Sequence, residues 1–220
     1  MTPDLQLDTR SKLLKAAVTV FGKNGFEASS VRQIADLAGV NHGSIKYHYS
    51  SKGDLWRASV SYLFSQMEQA VHTNEAAWSK MTSRERLKDS IRSFVRYHAA
   101  HPELNRILTI EAIAGGERHQ WVTDNYTRPF ADRAVAGIAL AQEDGIYPKE
   151  LPAMNLHYMH VASGRIIFLM AQEIQSIFGV DVFAAEEVER HIDTILTLFM
   201  GASDLKPGSA KERSGERLEN

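Results

Sequence analysis

Apolar positions recur along this chain at helical spacing almost throughout, and the two-residue alternation of half-buried strands is nearly absent. Leu13, Ala17, Val20 and Phe21 fall at i, i+4, i+7 and i+8, a single stripe on a first helix. Asn24-Gly25 ends it, because glycine takes the left-handed backbone that a helix C-terminus favours. Ser30-Val31-Arg32-Gln33 reads as a capping box, the Ser30 hydroxyl and the Gln33 side chain satisfying orphan amides reciprocally. A second helix follows to Ala38, with Val31, Ile34, Ala35 and Ala38 facing inward. Gly39-Val40-Asn41 is a turn, and Asn41 is the expected cap of a short third helix through His48. Ser51 with Asp54 three residues on opens a long fourth helix toward His72. Longer helices are expected over 83–101, 103–114, 119–143, 151–178 and 184–200, with breaks at Pro102, Gly115-Gly116, Gly145, Pro148 to Pro152, and Gly179. Pro129 should kink or split the helix it interrupts. The fold class is all-α.

Composition sharpens this picture. Hydrophobic residues make up 44% of the 220 and charged residues 24%, enough apolar material for a core. Cysteine is absent, which excludes a disulfide framework, thiol catalysis and cysteine-zinc motifs and fits a reducing cytoplasm. The longest apolar run, 166–171, is far short of the roughly 18 residues that span a bilayer. The first residues lack a basic region followed by an apolar stretch, so a cytoplasmic location without a membrane partner is expected. Residues 1–8 and 204–220 are polar enough to be disordered. Net charge is −2, yet it is unevenly placed. Residues 9–57 hold eight bases against three acids, and the remainder seventeen bases against twenty-four acids. That asymmetry suggests a polyanion-binding head on an acidic body.

Two short helices around a glycine-bearing turn, inside the basic segment, form a helix-turn-helix pattern. Ala35 is small where the helices would cross, and Ile34, Val40 and Ile45 are apolar where the pair must dock on the first helix. The other face of the third helix is Asn41, His42, Gly43, Ser44, Lys46, Tyr47 and His48, rich in donors and free of acids. Seven helical residues extend roughly 10 Å, which fits a major groove about 12 Å wide. Lys46 suits phosphate or guanine O6/N7, and Asn41 suits adenine in bidentate fashion. Arg32 and Lys52 suit backbone charge, and Ser30 is first a cap and second a phosphate contact. Gly43 lets the backbone approach DNA, His42 faces the groove rather than a metal, and Tyr49 is a core aromatic.

The stretch Phe21-Gly22-x-x-Gly25-Phe26, Ser30-Val31-x-x-Ile34-Ala35-x-x-Ala38-Gly39-Val40, then Gly43-Ser44-Ile45-x-Tyr47-His48-Tyr49-x-Ser51-Lys52-x-x-Leu55 resembles the N-terminal signature of the TetR family of bacterial transcriptional regulators, over about fifty continuous residues. The resemblance implies an all-α homodimer. Its three-helix head, residues 9–57, binds double-stranded operator DNA; a linker helix continues to about residue 72; and a body, 73–203, binds a small-molecule effector and dimerises. It implies a repressor released from a palindromic operator by that effector, with an activator or an interaction protein lacking an inducer as the alternative. By position, Tyr47, His48 and Lys52 match residues that commonly contact phosphates. Lys46, Tyr49 and Asn41-His42 depart from the family's frequent residues, so no operator sequence carries over.

In the body, Trp78, Phe94, Trp121, Tyr126, Phe130, Tyr158 and Met159 are candidates to line an apolar cavity, each with plain core as its blander reading. Glu111, Arg118 and His119 stand where a ligand's polar group would be met, or on a solvated face. Ile166, Met170, Ile192, Ile195 and Phe199, on the last long helices, are candidates for the dimer contact that the resemblance implies. His157 and His160, three apart, have metal-ligand spacing with His98 or His101, although helical histidines more often hydrogen-bond or face water. No phosphate loop, nucleophile elbow or metalloprotease motif occurs, so a non-enzyme without metal or cofactor is expected.

Overall fold

The computed structural model describes residues 8–72 and 78–201, and the described residues are helical without a strand. The first helix, α1 (Thr9–Asn24), starts at Asp8, whose carboxylate accepts from the Ser11 amide at 2.7 Å. Asp8, placed in the sequence reading at the end of a disordered lead, is therefore a cap. Residues 1–7 and the tail from 202 lie outside the described residues. Next come α2 (Val31–Ala38), α3 (Gly43–His48) and α4 (Lys52–His72). The Ser30 capping box is present: the Gln33 amide donates to Ser30 Oγ at 3.2 Å and the Ser30 amide to Gln33 Oε1 at 2.9 Å. Gly39 (φ 65°) turns the chain out of α2 in the left-handed region that glycine tolerates. Asn41 does not occupy the cap position of α3, which is His42; its Oδ1 instead accepts from the Gly43 amide at 2.8 Å.

The body comprises α5 (Ser83–Ala100), α6 (Pro102–Ala114), α7 (Gly116–Val122), α8 (Arg128–Glu143), α9 (Ala153–Leu169), α10 (Ala171–Phe178) and α11 (Ala185–Met200). Between α7 and α8, Thr123–Thr127 widens into a π-turn, and the Arg128 amide bonds the Thr123 carbonyl. Pro129, in the first turn of α8, lacks the N–H an unbroken α-helix would need; the π-turn absorbs that mismatch. The helix expected over 151–178 is two, broken at Met170 (φ −92°, ψ 14°).

Packing joins head and body. α1 contacts α2 and α4 and, equally closely, α6 of the body. One buried cluster runs from Leu13, Phe21 and Ile34 through Trp56 and Leu63 to Tyr97, Leu104 and Ile107. A head displaced relative to α6 would therefore expose apolar surface, at about 25 cal/mol per Å². A second cluster centres on Phe168, Val188, Ile192 and Ile195 against Ile91 and Val95 of α5.

Candidate nucleic-acid interface and ligand cavity

Helix α3 is held from behind and open in front. Ile45 and Tyr49 are buried, and the Tyr49 hydroxyl donates to the Arg10 carbonyl at 3.2 Å, tying α3 to α1. On the outer side Asn41, His42, Gly43, Lys46 and Tyr47 are exposed, Tyr47 at 86%. An aromatic left that open, next to a lysine, has no packing role within the chain. Tyr47 meets the half-buried His48 ring edge-on at 4.9 Å, and Ser44 is half-buried. Arg32 and Ser30 lie exposed at the start of α2, Arg32 reaching Asp36 at only 4.0 Å. His42 Nε2 lies 3.0 Å from Asp36 Oδ1. Lys52 is used internally: its ammonium donates to the Ser29 carbonyl at 2.8 Å and sits 4.3 Å over the Phe26 ring. The sequence-predicted residues thus form one surface, with Lys52 anchored at its edge.

The body holds two adjoining cavities, of about 520 and 220 Å³, that share Phe94, Phe130, His157 and Val161 as walls. Six of the ten candidates are there: Phe94 and Phe130 line both cavities, Glu111, His119 and Tyr158 line the larger, Tyr158 while largely exposed, and Trp78 lines the smaller; Arg118 and Met159 do not line either. Nor do Trp121 and Tyr126. Trp121 lies against Trp56, Tyr126 stacks on Phe64 at 4.5 Å, and the Tyr126 hydroxyl donates to Ser61 Oγ at 2.6 Å, so both bolt the body to α4. Their aromatic character gave no way to separate a wall from a bolt.

Among the polar groups of the larger cavity, Glu111 is engaged by the chain itself. Glu111, 2% exposed, accepts from Arg118 Nε with both oxygens at 3.1 Å. Arg118 also pairs with Glu27 of the head at 3.0 Å and lies 4.2 Å over Phe26. This Glu111–Arg118–Glu27 bridge connects the cavity wall to the loop before α2, and sequence reading, which gave Arg118 a ligand-facing or solvated role, did not foresee it. His98 is 1% exposed with Nδ1 lacking a hydrogen-bond partner; burial, reinforced by the charge of Arg165, holds its pKa well below the ordinary value. The ring therefore stays neutral. His160 shares a hydrogen bond with the Tyr147 hydroxyl, and no group of three or more ligating side chains gathers among the described residues.

Two of the five residues expected at a dimer contact need correction. Ile192 and Ile195 are 0% and 3% exposed, inside the chain's own core, and Phe199 is half-buried beside His160. Ile166 and Met170 do face outward, with Met159 on the same face of α9, and Leu198 of α11 is 74% exposed. The strong apolar stripe of α11 reports the core; its outward side is marked by Leu198 alone.

Two family models match this arrangement. One, described as bacterial regulatory proteins, tetR family, covers residues 13–58; the other, described as tetracyclin repressor-like, C-terminal domain, covers 84–198, just over half the chain. The chain belongs to the TetR family. Among curated TetR-like relatives, the transcriptional repressor SCO4008 of Streptomyces coelicolor is 28% identical over 78% of this chain and 84% of its own. The transcriptional repressor NicS of Pseudomonas putida is 31% identical over 49% of this chain, which spans about half of that protein's length. In solved structures the fold is shared with AibR in complex with isovaleryl coenzyme A and operator DNA (TM-score 0.71, 16% identity, 88% of this chain and 99% of that one). It is shared also with FadR from Bacillus subtilis in complex with stearoyl-CoA (TM-score 0.62, 19% identity, 87% and 98%). No helix among the described residues is long and apolar enough to cross a membrane.

Proposed function

We propose that this chain is a cytoplasmic, non-catalytic repressor of transcription that holds an operator with two copies of α3 and releases it when a small molecule fills the cavity. The observation that carries the reading is the exposed Lys46–Tyr47 face on a helix whose opposite side is locked by Ile45 and Tyr49. Residues 9–57 act as the DNA-binding head, α4 as the link, and 73–203 as the ligand-binding and dimerising body. The relatives' repressor names and the ligand- and operator-bound relatives support it. Ligand reaches the head through α6, which carries Glu111 and touches α1, so a shift of α6 moves the Arg118 bridge and α1 together.

The test is selection of bound fragments from genomic DNA with the purified protein, which should return a palindrome with half-sites about one helical turn or more apart. Return of unrelated fragments overturns the reading. On that operator, Arg32→Ala should weaken binding about equally across sequence variants and lower the steepness of log K against log salt by about two, one lost phosphate contact in each of the two protomers. A slope unchanged in a salt titration would remove Arg32 from the interface.

Met159, Ile166, Met170 and Leu198 are apolar and exposed, which supports assigning them to the face that pairs two copies about a two-fold axis. Leu198→Glu would set two carboxylates against each other across the axis. Sedimentation should show the dimer weakened about ten-fold or more, with helix content unchanged, because Leu198 touches little within its own chain. A dimer of undiminished strength would place the interface elsewhere.

A further inference from the structure

Arg165, on α9, stands in the wall of the larger cavity as a cation with no acid beside it. Its Nε donates to Asn105 Oδ1 at 3.0 Å and its Nη2 to the Asn105 carbonyl at 3.2 Å, so neutral groups fix the guanidinium in place without cancelling its charge. No carboxylate comes within ion-pair distance of it among the described residues, although the chain holds 27 acids. Burial disfavours this cation, as the downward pull on its pKa reflects, and an arginine stays charged nonetheless. Arg165 is half-buried, so it has given up part of its hydration without gaining an acid partner in return.

The other charges at this cavity do not supply that partner. Glu111 is held by Arg118 through both oxygens, Arg128 lies 3.7 Å from Asp124 outside the wall, and Asp132 is exposed. Of the charged groups lining this cavity, Arg165 is therefore the cation that no carboxylate of the described residues pairs with. Beside it stands neutral His98, with a ring nitrogen that the chain leaves unsatisfied. Around both, Phe64, Leu108, Phe130 and Val135 form apolar walls, and the shared partition at Phe94 leads to the smaller chamber lined by Ile91, Val95 and Ile138.

We propose that the effector is a free carboxylic acid with an apolar body, its carboxylate bound by Arg165 and its body in the two chambers. This rests on the ligand-responsive reading above and names the chemistry of its ligand. A guanidinium held through Nε and one Nη keeps further N–H donors for a carboxylate, and such charge-assisted bonds are about twice as strong as neutral ones. An amine would meet the uncompensated cation as a repulsion. A coenzyme A thioester carries no carboxylate at the acyl end, and its phosphates are larger polyanions than this one guanidinium serves.

The test compares matched head groups on one body. Binding of octanoate, 3-phenylpropionate and benzoate is measured by calorimetry against the corresponding amides, alcohols and amines, with octanoyl-CoA as the thioester. At least one acid should bind about ten-fold or more tightly than its own amide and alcohol, and its amine should not bind. Arg165→Met, close in volume, should bring acid and amide within about two-fold of each other. Amides equal to acids, a preference for octanoyl-CoA, failure of every acid to bind at millimolar concentration, or an acid preference that survives Arg165→Met each overturn the proposal. Should that variant fail to fold, the head-group series on the unaltered protein decides. Operator release is read in the same samples. Release by an amide or by octanoyl-CoA but by no acid defeats the carboxylate and keeps a ligand-responsive repressor; acids that bind tightly without changing operator affinity defeat the repressor reading and keep the site.

Discussion

Alanine at Lys46 and Tyr47 together should weaken operator binding about 100-fold or more while leaving the melting temperature within about two degrees. Both side chains are exposed, and the Tyr47 ring meets that of the neighbouring His48 edge-on. Surface substitutions of this kind move stability by less than about 0.5 kcal/mol, which for a chain of this size is one or two degrees. On DNA the same groups are worth far more, because a good base contact discriminates by about 1–3 kcal/mol and the loss is doubled across a two-fold dimer. Ile45→Ala is the contrasting case. Ile45 is 4% exposed, so its truncation should cost about 2–5 kcal/mol of stability along with binding. Fluorescence anisotropy on the selected operator and thermal melts by circular dichroism separate the two effects. Unchanged affinity in the double variant would remove α3 as the reading element.

The head was legible because its signals are local. The Ser30–Gln33 box, the turn at Gly39 and the apolar positions Ile34, Ala35 and Ile45 each act within four residues or on one helix face, which is the range over which pattern carries information. What the pattern could not show lies in pairings across long separations. Arg118 reaches back to Glu27 of the head, and Arg165 rests on Asn105 sixty residues away; in sequence these are ordinary charges on helices. The break at Met170 falls in an apolar run without glycine or proline, so nothing in composition marks it. Ile192 and Leu198 look alike as apolar residues of α11, yet one is sealed in the core and the other faces outward, a distinction set by which helices arrive beside them.

Alanine at Gly22 should lower the melting temperature by several degrees, against the direction that helix propensity alone sets. Gly22 lies inside α1, where glycine to alanine ordinarily gains up to about 1 kcal/mol. Here α1 crosses the first turn of α6 so closely that an added Cβ would stand 2.6 Å from Glu103 Cβ and 2.9 Å from its Cα. The Cα is backbone and cannot swing aside, so α6 must move or the head must tilt. Overpacking of this kind costs about 1–3 kcal/mol, which exceeds the propensity gain and sets the sign; Gly22→Val should lose more. Gly137, inside α8, is the matched control, since an added Cβ meets nothing within 4 Å, and Gly137→Ala should raise the melting temperature by a degree or more. Because the contact at Gly22 joins α1 to the helix carrying Glu111, its widening should also shift the spacing of the two heads and weaken operator binding in the absence of any ligand. A Gly22→Ala protein more stable than the parent, with operator affinity intact, would show that α1 and α6 are not pressed together and that the cavity signals to the head by another route.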